Sequence, residues 1–390
     1  MKSFSKLYIP IALETLCYML AGMVDTIMLS TVGDNAVGAV GTANTYINVF
    51  IIMFHVVSSG MIAVMTQYIG AKRVGVAYQA RQLGAVFNAV LGFALSVFLF
   101  AFSGTILEIV GVAPLLMDYA KTYLKIVGGC CFLNALIPIF SSYLRAFGYT
   151  KQPLIATLMA NAVNFGLNAV FLFGLHAGVA GVAWATVLSR ILNLGIVIVA
   201  SKLLVKAKED PERLKNTEVF AQIIKVGLPS ALETALYNVA MTLTIRFLNQ
   251  MDASGFNVTA RAYAAQIANF SYCAGAALAQ ANAIMTGWRI GEGDYEACDK
   301  GTKKAACIGI LVAAGLEALF VFSADVLIRI FTQDLEMIRL VKTLLAIDIL
   351  LEVGRVTNLV FGQALKTSGD AVYTTVIGVL FMYLCMVGGT

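Results

Sequence analysis

Apolar runs of about 20 residues, separated by short polar breaks, make up most of the chain. Runs of this length can cross a bilayer as helices, whereas soluble enzyme-like or β-rich folds need polar loops between short periodic segments. The pattern predicts eleven spans, near residues 7–30, 43–68, 82–103, 117–144, 152–174, 178–203, 219–248, 257–288, 304–324, 337–363 and 371–389. We therefore expect an all-α polytopic membrane protein.

Positive charge gathers in alternate loops. Lysine and arginine recur near residues 2–6, 72–81, 145–151, 202–215, 289–304 and 366, while the intervening loops are almost free of them. Because basic loops stay on the cytoplasmic side, the N-terminus is predicted to lie in the cytoplasm. The one long charged stretch, "KAKEDPERLKNTE" (206–218), is predicted to be a cytoplasmic linker.

The chain contains an internal repeat. "IPIALET" from Ile9 returns as "LPSALET" from Leu228, an offset of 219, "YQARQLG" from Tyr78 matches "YEACDKG" at an offset of 217, and "LRAFG" from Leu144 matches "LKTSG" at 221. Three matches at equivalent places indicate a duplication. We expect an N-lobe of six helices at 1–205 and a C-lobe at 219–390, related by an axis along the membrane normal, with the cleft between them as the binding site.

The second repeat is shorter than the first. Some 60 residues follow "LRAFG" in the first half, including a whole sixth span, but 21 follow "LKTSG". The C-lobe is therefore expected to hold five helices, with the twelfth missing through C-terminal truncation, because an incomplete half-bundle exposes polar groups to lipid.

Composition narrows the classes further. The chain is 59% hydrophobic and 13% charged, and its net charge of +5 comes from inter-helix loops, so it does not indicate a nucleic-acid partner. The seven cysteines follow no disulfide or metal-ligand spacing, and no phosphate-binding loop for nucleotide occurs. Neither a cofactor nor enzyme chemistry is indicated, and the expected surroundings of the chain are the lipid bilayer.

Buried carboxylates are the candidate chemistry. Asp25 lies eleven residues beyond Glu14, nearly three helical turns, so both occupy one face of the first span. A carboxylate inside a span is costly unless it faces a polar interior, and one that takes up H+ or Na+ supplies ion coupling. Asn161, Asn164 and Asn168 form a polar stripe on the fifth span, whose amide oxygens could join Asp25 or only bond neighbouring helices.

The second half carries a different set. Asp348, Glu352 and Arg355 share one face of the tenth span, so that Arg355 can neutralise one acid and leave the other available. We group Glu233 with them as a second-lobe polar site. A structural ion pair is an equal alternative to a role in coupling.

Several motifs resemble those of the multidrug and toxic compound extrusion (MATE) transporters, in a bacterial branch common in Firmicutes. They are "MVDTIMLSTVGDNAVGAVG" from Met23, "GVAGVAWATVLSR" from Gly178, "GEGDYEA" from Gly291, and "EVGRVTN" with "ALKTSGD" from Glu352 and Ala364. The resemblance implies twelve helices in two lobes around a central cavity, and export of organic, often cationic, compounds in exchange for Na+ or H+.

The resemblance also implies site residues. Asp25 matches the family's first-helix aspartate, implicated in cation or proton binding, and Thr186 matches a threonine lining the same lobe. Asn164 and Asn168 match an N-x-x-x-D pair whose second member is often acidic, so one titratable group is absent here. Na+ at Asp25 with neutral helpers is therefore as compatible as H+.

Two other functions are weighed. A lipid-linked saccharide flippase of the same superfamily would need a strongly cationic cavity, yet few lysines or arginines lie mid-span. A channel would need a filter-like loop or a charged ring, and neither is evident. We expect ion-coupled antiport by alternating access.

Overall fold

The computed structural model describes residues 3–206, 210–251, 255–329 and 331–389. Ten of the eleven predicted spans each fall on one helix, the span predicted at 117–144 falls on two, and the described residues form no strand. Residues 207–209 of the predicted linker lie outside the described part of the chain.

The helices of the first half are α1 (Phe4–Ser30), α2 (Asp34–Gly70), α3 (Val74–Ile109), α4 (Pro114–Tyr123), α5 (Phe132–Ala146), α6 (Lys151–Ala169) and α7 (Gly178–Leu204). Those of the second half are α8 (Asn216–Met251), α9 (Phe256–Glu292), α10 (Tyr295–Phe322), α11 (Ala324–Ile328), α12 (Leu335–Ser368) and α13 (Ala371–Met382). Three are extended by a π-helical turn, at Leu124–Gly128, Val170–Gly174 and Tyr383–Val387.

The helices differ in how apolar they are. Among the described residues, seven are long and apolar enough to cross a membrane, or eight if α4 and α5, bent by 44° against each other, are one span. Sequence predicted that pair as one span. α9 and α12 are not among these helices, and the middle of α12 carries three charged residues, Asp348, Glu352 and Arg355.

Contacts gather the basic helix ends on one face. Thr150 donates a hydrogen bond to the carbonyl of Lys6 (2.9 Å), which joins the α5–α6 turn to the start of α1. Arg73 forms an ion pair with Glu212 (2.6 Å), which joins the α2–α3 turn to the linker. We call this side, with the ends of α9 and α12 described below, the basic face.

The two halves pack on each other near this face. Val219 and Ile223, in the first two turns of α8, belong to the same apolar core as α2, α3 and α5 of the first half. Leu7 and Ile11 of α1 pack against Ile284 and Trp288 of α9. The second half has smaller apolar clusters of its own, one of which, around Val341 and Leu345, lies entirely within that half.

Candidate functional site

A cavity of about 890 Å³ lies between the two halves. Its walls come from α1, α2, α5, α6 and α7 on one side and α8, α9 and α12 on the other, and most of its polar lining consists of hydroxyl and amide groups. The charged side chains in the wall are Glu14, Asp25, Arg145, Arg190 and Lys366. The cleft between the halves is thus where a solute has room to bind.

Asp25 meets the fifth predicted span inside this cavity. The Asn168 side-chain amide donates to Asp25 Oδ1 at 2.7 Å and, more weakly, to Asn164 Oδ1 at 3.2 Å. Asn168 is fully buried, and its own Oδ1 accepts no hydrogen bond within the described residues. A buried amide oxygen without a donor costs free energy, so this oxygen is available to a cation or a water molecule beside Asp25.

The other residues predicted for this site lie nearby but are bonded elsewhere. Asn161 donates to the carbonyl of Cys17 (3.0 Å), and Thr186 donates to the carbonyl of Val182 one turn earlier in α7 (2.9 Å). Both line the cavity, and the oxygen of Thr186 keeps a lone pair free for a ligand. The structure therefore brings Asn168 to Asp25 and Asn164 to Asn168, and places Asn161, Asn164 and Thr186 in the cavity wall.

Carboxylate, amide and hydroxyl oxygens are the ligands that hard cations prefer. Asp25 and Asn168 Oδ1 offer two oxygen ligands of this kind close together, and Thr186 offers a hydroxyl elsewhere in the cavity wall. Arg190, one turn beyond Thr186, also lines the cavity, and its Nη1 is buried without an acceptor among the described residues. Arg190 acts electrostatically on Asp25, so a second cation there must compete with it.

The second half holds a cluster of three carboxylates, which we call the acidic cluster. One carboxylate oxygen each from Glu317, Asp348 and Glu352 lie within 4.8 Å of one another. Arg355 forms an ion pair with Glu352 one turn earlier. Three carboxylates this close inside an apolar bundle cannot all be ionised unless a cation neutralises them. Without a cation, at least one of them holds a proton.

Glu317 was missed by the sequence reasoning. It is fully buried in α10, and neither of its carboxylate oxygens has a hydrogen-bond partner among the described residues. A signal was present, because Glu317 is the lone acid in the apolar run "ILVAAGLEALFVF". The acidic cluster is not part of the cavity wall. Tyr272 lines the cavity, and the Arg355 guanidinium lies over its ring, 5.9 Å from the ring centre.

Glu233 does not belong to this cluster, so that part of the prediction is corrected. Its carboxylate pairs with Lys366 at 2.9 Å and accepts from the Thr375 hydroxyl at 3.2 Å. Lys366 lies 14 residues beyond Glu352 in α12, which is about 21 Å along a helix. Glu233 shares a half and a charge sign with Glu352 but lies at a different depth, because it is in the middle of α8 and pairs with Lys366 near the end of α12, at the basic face.

The repeated glutamates make equivalent ion pairs. Glu14 pairs with Arg145 at 2.7 Å, as Glu233 pairs with Lys366, and in the sequence Arg145 and Lys366 are the matching bases of "LRAFG" and "LKTSG". The Glu14 side chain is 3% exposed and that of Arg145 14%. The sequence repeat puts the two glutamates at equivalent positions, and the structure shows that their partners are equivalent as well.

Comparisons with known proteins agree with this architecture. The MatE family model matches residues 10–170 and again 229–389, two segments displaced by the same 219 residues as the sequence repeat. "Uncharacterized transporter YisQ" of Bacillus subtilis is 32% identical over 381 residues, covering 96% of this chain and 83% of that protein. "Probable multidrug resistance protein NorM" of Thermotoga maritima is 27% identical, covering 87% and 74%.

The fold agrees as well. A solved multidrug resistance MATE family transporter in an outward-facing conformation superposes with a TM-score of 0.87 at 19% identity, covering 98% of this chain and 88% of that one. With both repeats matched by the family model, and with these relatives along nearly the whole chain, this protein is a multi-pass membrane transporter of the MATE family.

Proposed function

We propose that the protein is a secondary active antiporter that exports small organic compounds, many of them cationic, in exchange for Na+ or H+ by alternating access. The observation that carries the proposal is the contact between Asp25, which lines the cavity, and the buried amide of Asn168, because it is a carboxylate held by a neutral group where a solute has room to bind. A cation that neutralises Asp25 changes the charge of that wall, and this couples ion binding to solute binding.

The remaining parts follow from this mechanism. Lobes 1–205 and 219–390 move against each other around the cavity, and the basic face lies in the cytoplasm of a bacterial cell, because basic loops are retained there. The names of relatives such as NorM support drugs or toxic compounds as substrates. The protein acts as a monomer, since one chain contributes both walls of the cavity.

Lipid-linked saccharide transport is the alternative. Arg145, Arg190 and Lys366 line the cavity, which would suit a diphosphate group. Arg145 and Lys366, however, are each neutralised by a glutamate, which leaves Arg190 beside Asp25. The cavity is not strongly cationic, and this favours the exporter.

Transport in liposomes tests the proposal. Purified protein is reconstituted, and efflux of a cationic dye such as ethidium is driven by an imposed Na+ gradient or, separately, by a pH gradient. We expect one gradient to drive efflux, and Asp25→Asn to abolish the driven component while dye binding to the purified variant is retained. Thr26→Val, which removes an exposed neighbouring hydroxyl bonded only to its own helix, is the matched control.

Wild-type efflux in Asp25→Asn would remove Asp25 from coupling. The acidic cluster would then be the alternative ion site, and Glu317→Gln should abolish the driven component instead. If neither gradient drives any organic solute, antiport itself is wrong.

A further inference from the structure

Two hydrogen bonds that join the halves at the basic face are copies of each other. The Gln67 side chain of α2 donates to the carbonyl of Thr367 in α12, and the Trp288 indole of α9 donates to the carbonyl of Ala146 in α5 at 2.9 Å. Gln67 and Trp288 are 221 positions apart, and so are Ala146 and Thr367. One contact is therefore made twice, with donor and acceptor halves exchanged.

The same symmetry brings two glycines into backbone contact. Gly70 and Gly291 are also 221 positions apart and end α2 and α9. A Cβ at Gly70 would lie 2.1 Å from the Trp288 carbonyl oxygen, and one at Gly291 would lie 2.0 Å from that of Gln67. Only glycine permits so close an approach, so the ends of α2 and α9 press together and close the basic face beneath the cavity.

Each acceptor carbonyl directly follows the base of a repeated ion pair. Ala146 follows Arg145, which binds Glu14 at 2.7 Å and Gln280 of the other half at 3.2 Å. Thr367 follows Lys366, which binds Glu233 at 2.9 Å. Glu14, Arg145 and Lys366 line the cavity, so its charged wall is one residue away from the closed contact on both sides.

We propose that Glu14–Arg145 and Glu233–Lys366 are two latches that hold the carbonyls of Ala146 and Thr367 in place and so keep the basic face closed. A solute or ion that breaks a latch from inside the cavity leaves a buried charge without its partner, and the helix end must shift to solvate it. A shift of about 1 Å is enough to lose a hydrogen bond. The four charged side chains are positioning residues, and their role deepens the alternating access proposed above.

Labelling of a cavity cysteine from the basic face tests the latches. In a background without the seven native cysteines, Ser142→Cys places a thiol in the cavity wall. Sealed vesicles that expose the basic face receive a membrane-impermeant maleimide. We expect slow labelling in the parent, and a rate about tenfold higher in Glu14→Gln and in Glu233→Gln, equivalent to one hydrogen bond of about 1.4 kcal/mol. The double variant should approach about a hundredfold if the latches are independent.

Removal of the closing bond itself supplies the reference. Trp288→Phe deletes the donor to Ala146 and should also label about tenfold faster. Reversing a latch, Glu233→Lys with Lys366→Glu, should return the rate to that of the parent, which a general loss of stability would not do. Lys342→Gln breaks the exposed Lys342–Asp325 pair elsewhere in the second half and should label like the parent.

Two outcomes overturn the proposal. Fast labelling of Trp288→Phe with parent rates for Glu14→Gln and Glu233→Gln would leave the closed contact but remove the latches. Parent rates in all variants would remove the closed contact as well. Should Glu14→Gln not fold, Lys366→Gln tests the same latch type, because Glu233 is 30% exposed and tolerates the loss better. Labelling needs no substrate or gradient, so this result is independent of the efflux experiment.

Discussion

The two halves share the same contacts at the basic face and differ in their buried polar centres. Both repeat a glutamate–base pair and an inter-half hydrogen bond at the basic face. Inside, the first half holds one carboxylate, Asp25, with neutral amides from α6. The second half holds three carboxylates and Arg355 behind Tyr272. At the repeat offset Asp25 corresponds to Thr244, so the second copy lacks this carboxylate.

This difference separates two kinds of constraint on a duplicated chain. Contacts between the halves must fit on both sides of the pseudo-twofold axis, so a change in one copy disturbs a partner in the other. Each glutamate–base pair lies within one half, but its base directly precedes an acceptor carbonyl of such a contact, so the pair is constrained as well. A polar centre that adjoins no contact between the halves is free to change. The residues that recur are therefore structural, and ion chemistry is to be sought among those that do not.

The largest expected effect is on the stability of the second centre. Arg355→Gln removes the partner of the fully buried Glu352 and leaves two further acids nearby. Breaking a buried pair typically costs about 3 kcal/mol or more. We expect a clear fall in the thermal midpoint of the purified protein in detergent, restored in part by Glu352→Gln added to Arg355→Gln. An unchanged midpoint would mean that the cluster is already neutralised by bound protons or cations.

Cation binding distinguishes the two centres next. If Na+ is the coupling ion, raising Na+ to about 100 times its dissociation constant stabilises the protein by about 2.7 kcal/mol. We expect the thermal midpoint to rise with Na+ in the parent and to lose this response in Asp25→Asn. Glu317→Gln serves as the comparison, since it removes a carboxylate of the other half. A response kept in Asp25→Asn and lost in Glu317→Gln would assign the ion to the acidic cluster.

Restoring a second acid to the first half should change the ion it uses. Asn168→Asp places a carboxylate at the atom that now donates to Asp25. Two acids in contact cannot both stay ionised, so they share a proton. We expect efflux driven by a pH gradient to rise several-fold relative to efflux driven by Na+. Asn161 donates to the carbonyl of Cys17 and not to Asp25, so Asn161→Asp should leave that ratio unchanged.

The sequence predicted the arrangement of helices but only some of the site residues. Hydropathy located every long helix, since each span must be apolar over a length that lipid sets. The polar stripe of α6 placed Asn168 with Asp25, because both belong to helices that face one interior. The contact between Glu317 of α10 and Glu352 of α12 and the bend between α4 and α5 both depend on how the helices pack. Residue spacing within one helix therefore predicts neither of these two features. The grouping of Glu233 was wrong for the same reason: charge sign and half do not fix depth in the bilayer.

The smallest expected effect concerns the linker, and it tests which half of the molecule the linker is bound to. Asp210 accepts hydrogen bonds from the backbone N–H groups of Glu212 (2.9 Å) and Gly75 (2.8 Å), and these bonds hold the pKa of its carboxyl below the usual range. A lowered pKa means that the contact is complete above the ordinary value of about 3.9 and is lost only as the pH falls through the lower, folded-state pKa. At neutral pH the linker is thus fastened to the start of α3, in the first half.

Removing this fastening should expose the linker without disturbing the bundle. Asp210→Ala deletes both acceptors, and we expect trypsin to cut after Arg213 or Lys215 several-fold faster at pH 7, with the thermal midpoint unchanged. Glu212→Gln, which breaks only the half-exposed pair with Arg73, should have a smaller effect because such pairs contribute little. Equal cleavage of Asp210→Ala and the parent would mean that Gln79, bonded to Leu214 and Asn216, is sufficient to hold the linker on the first half.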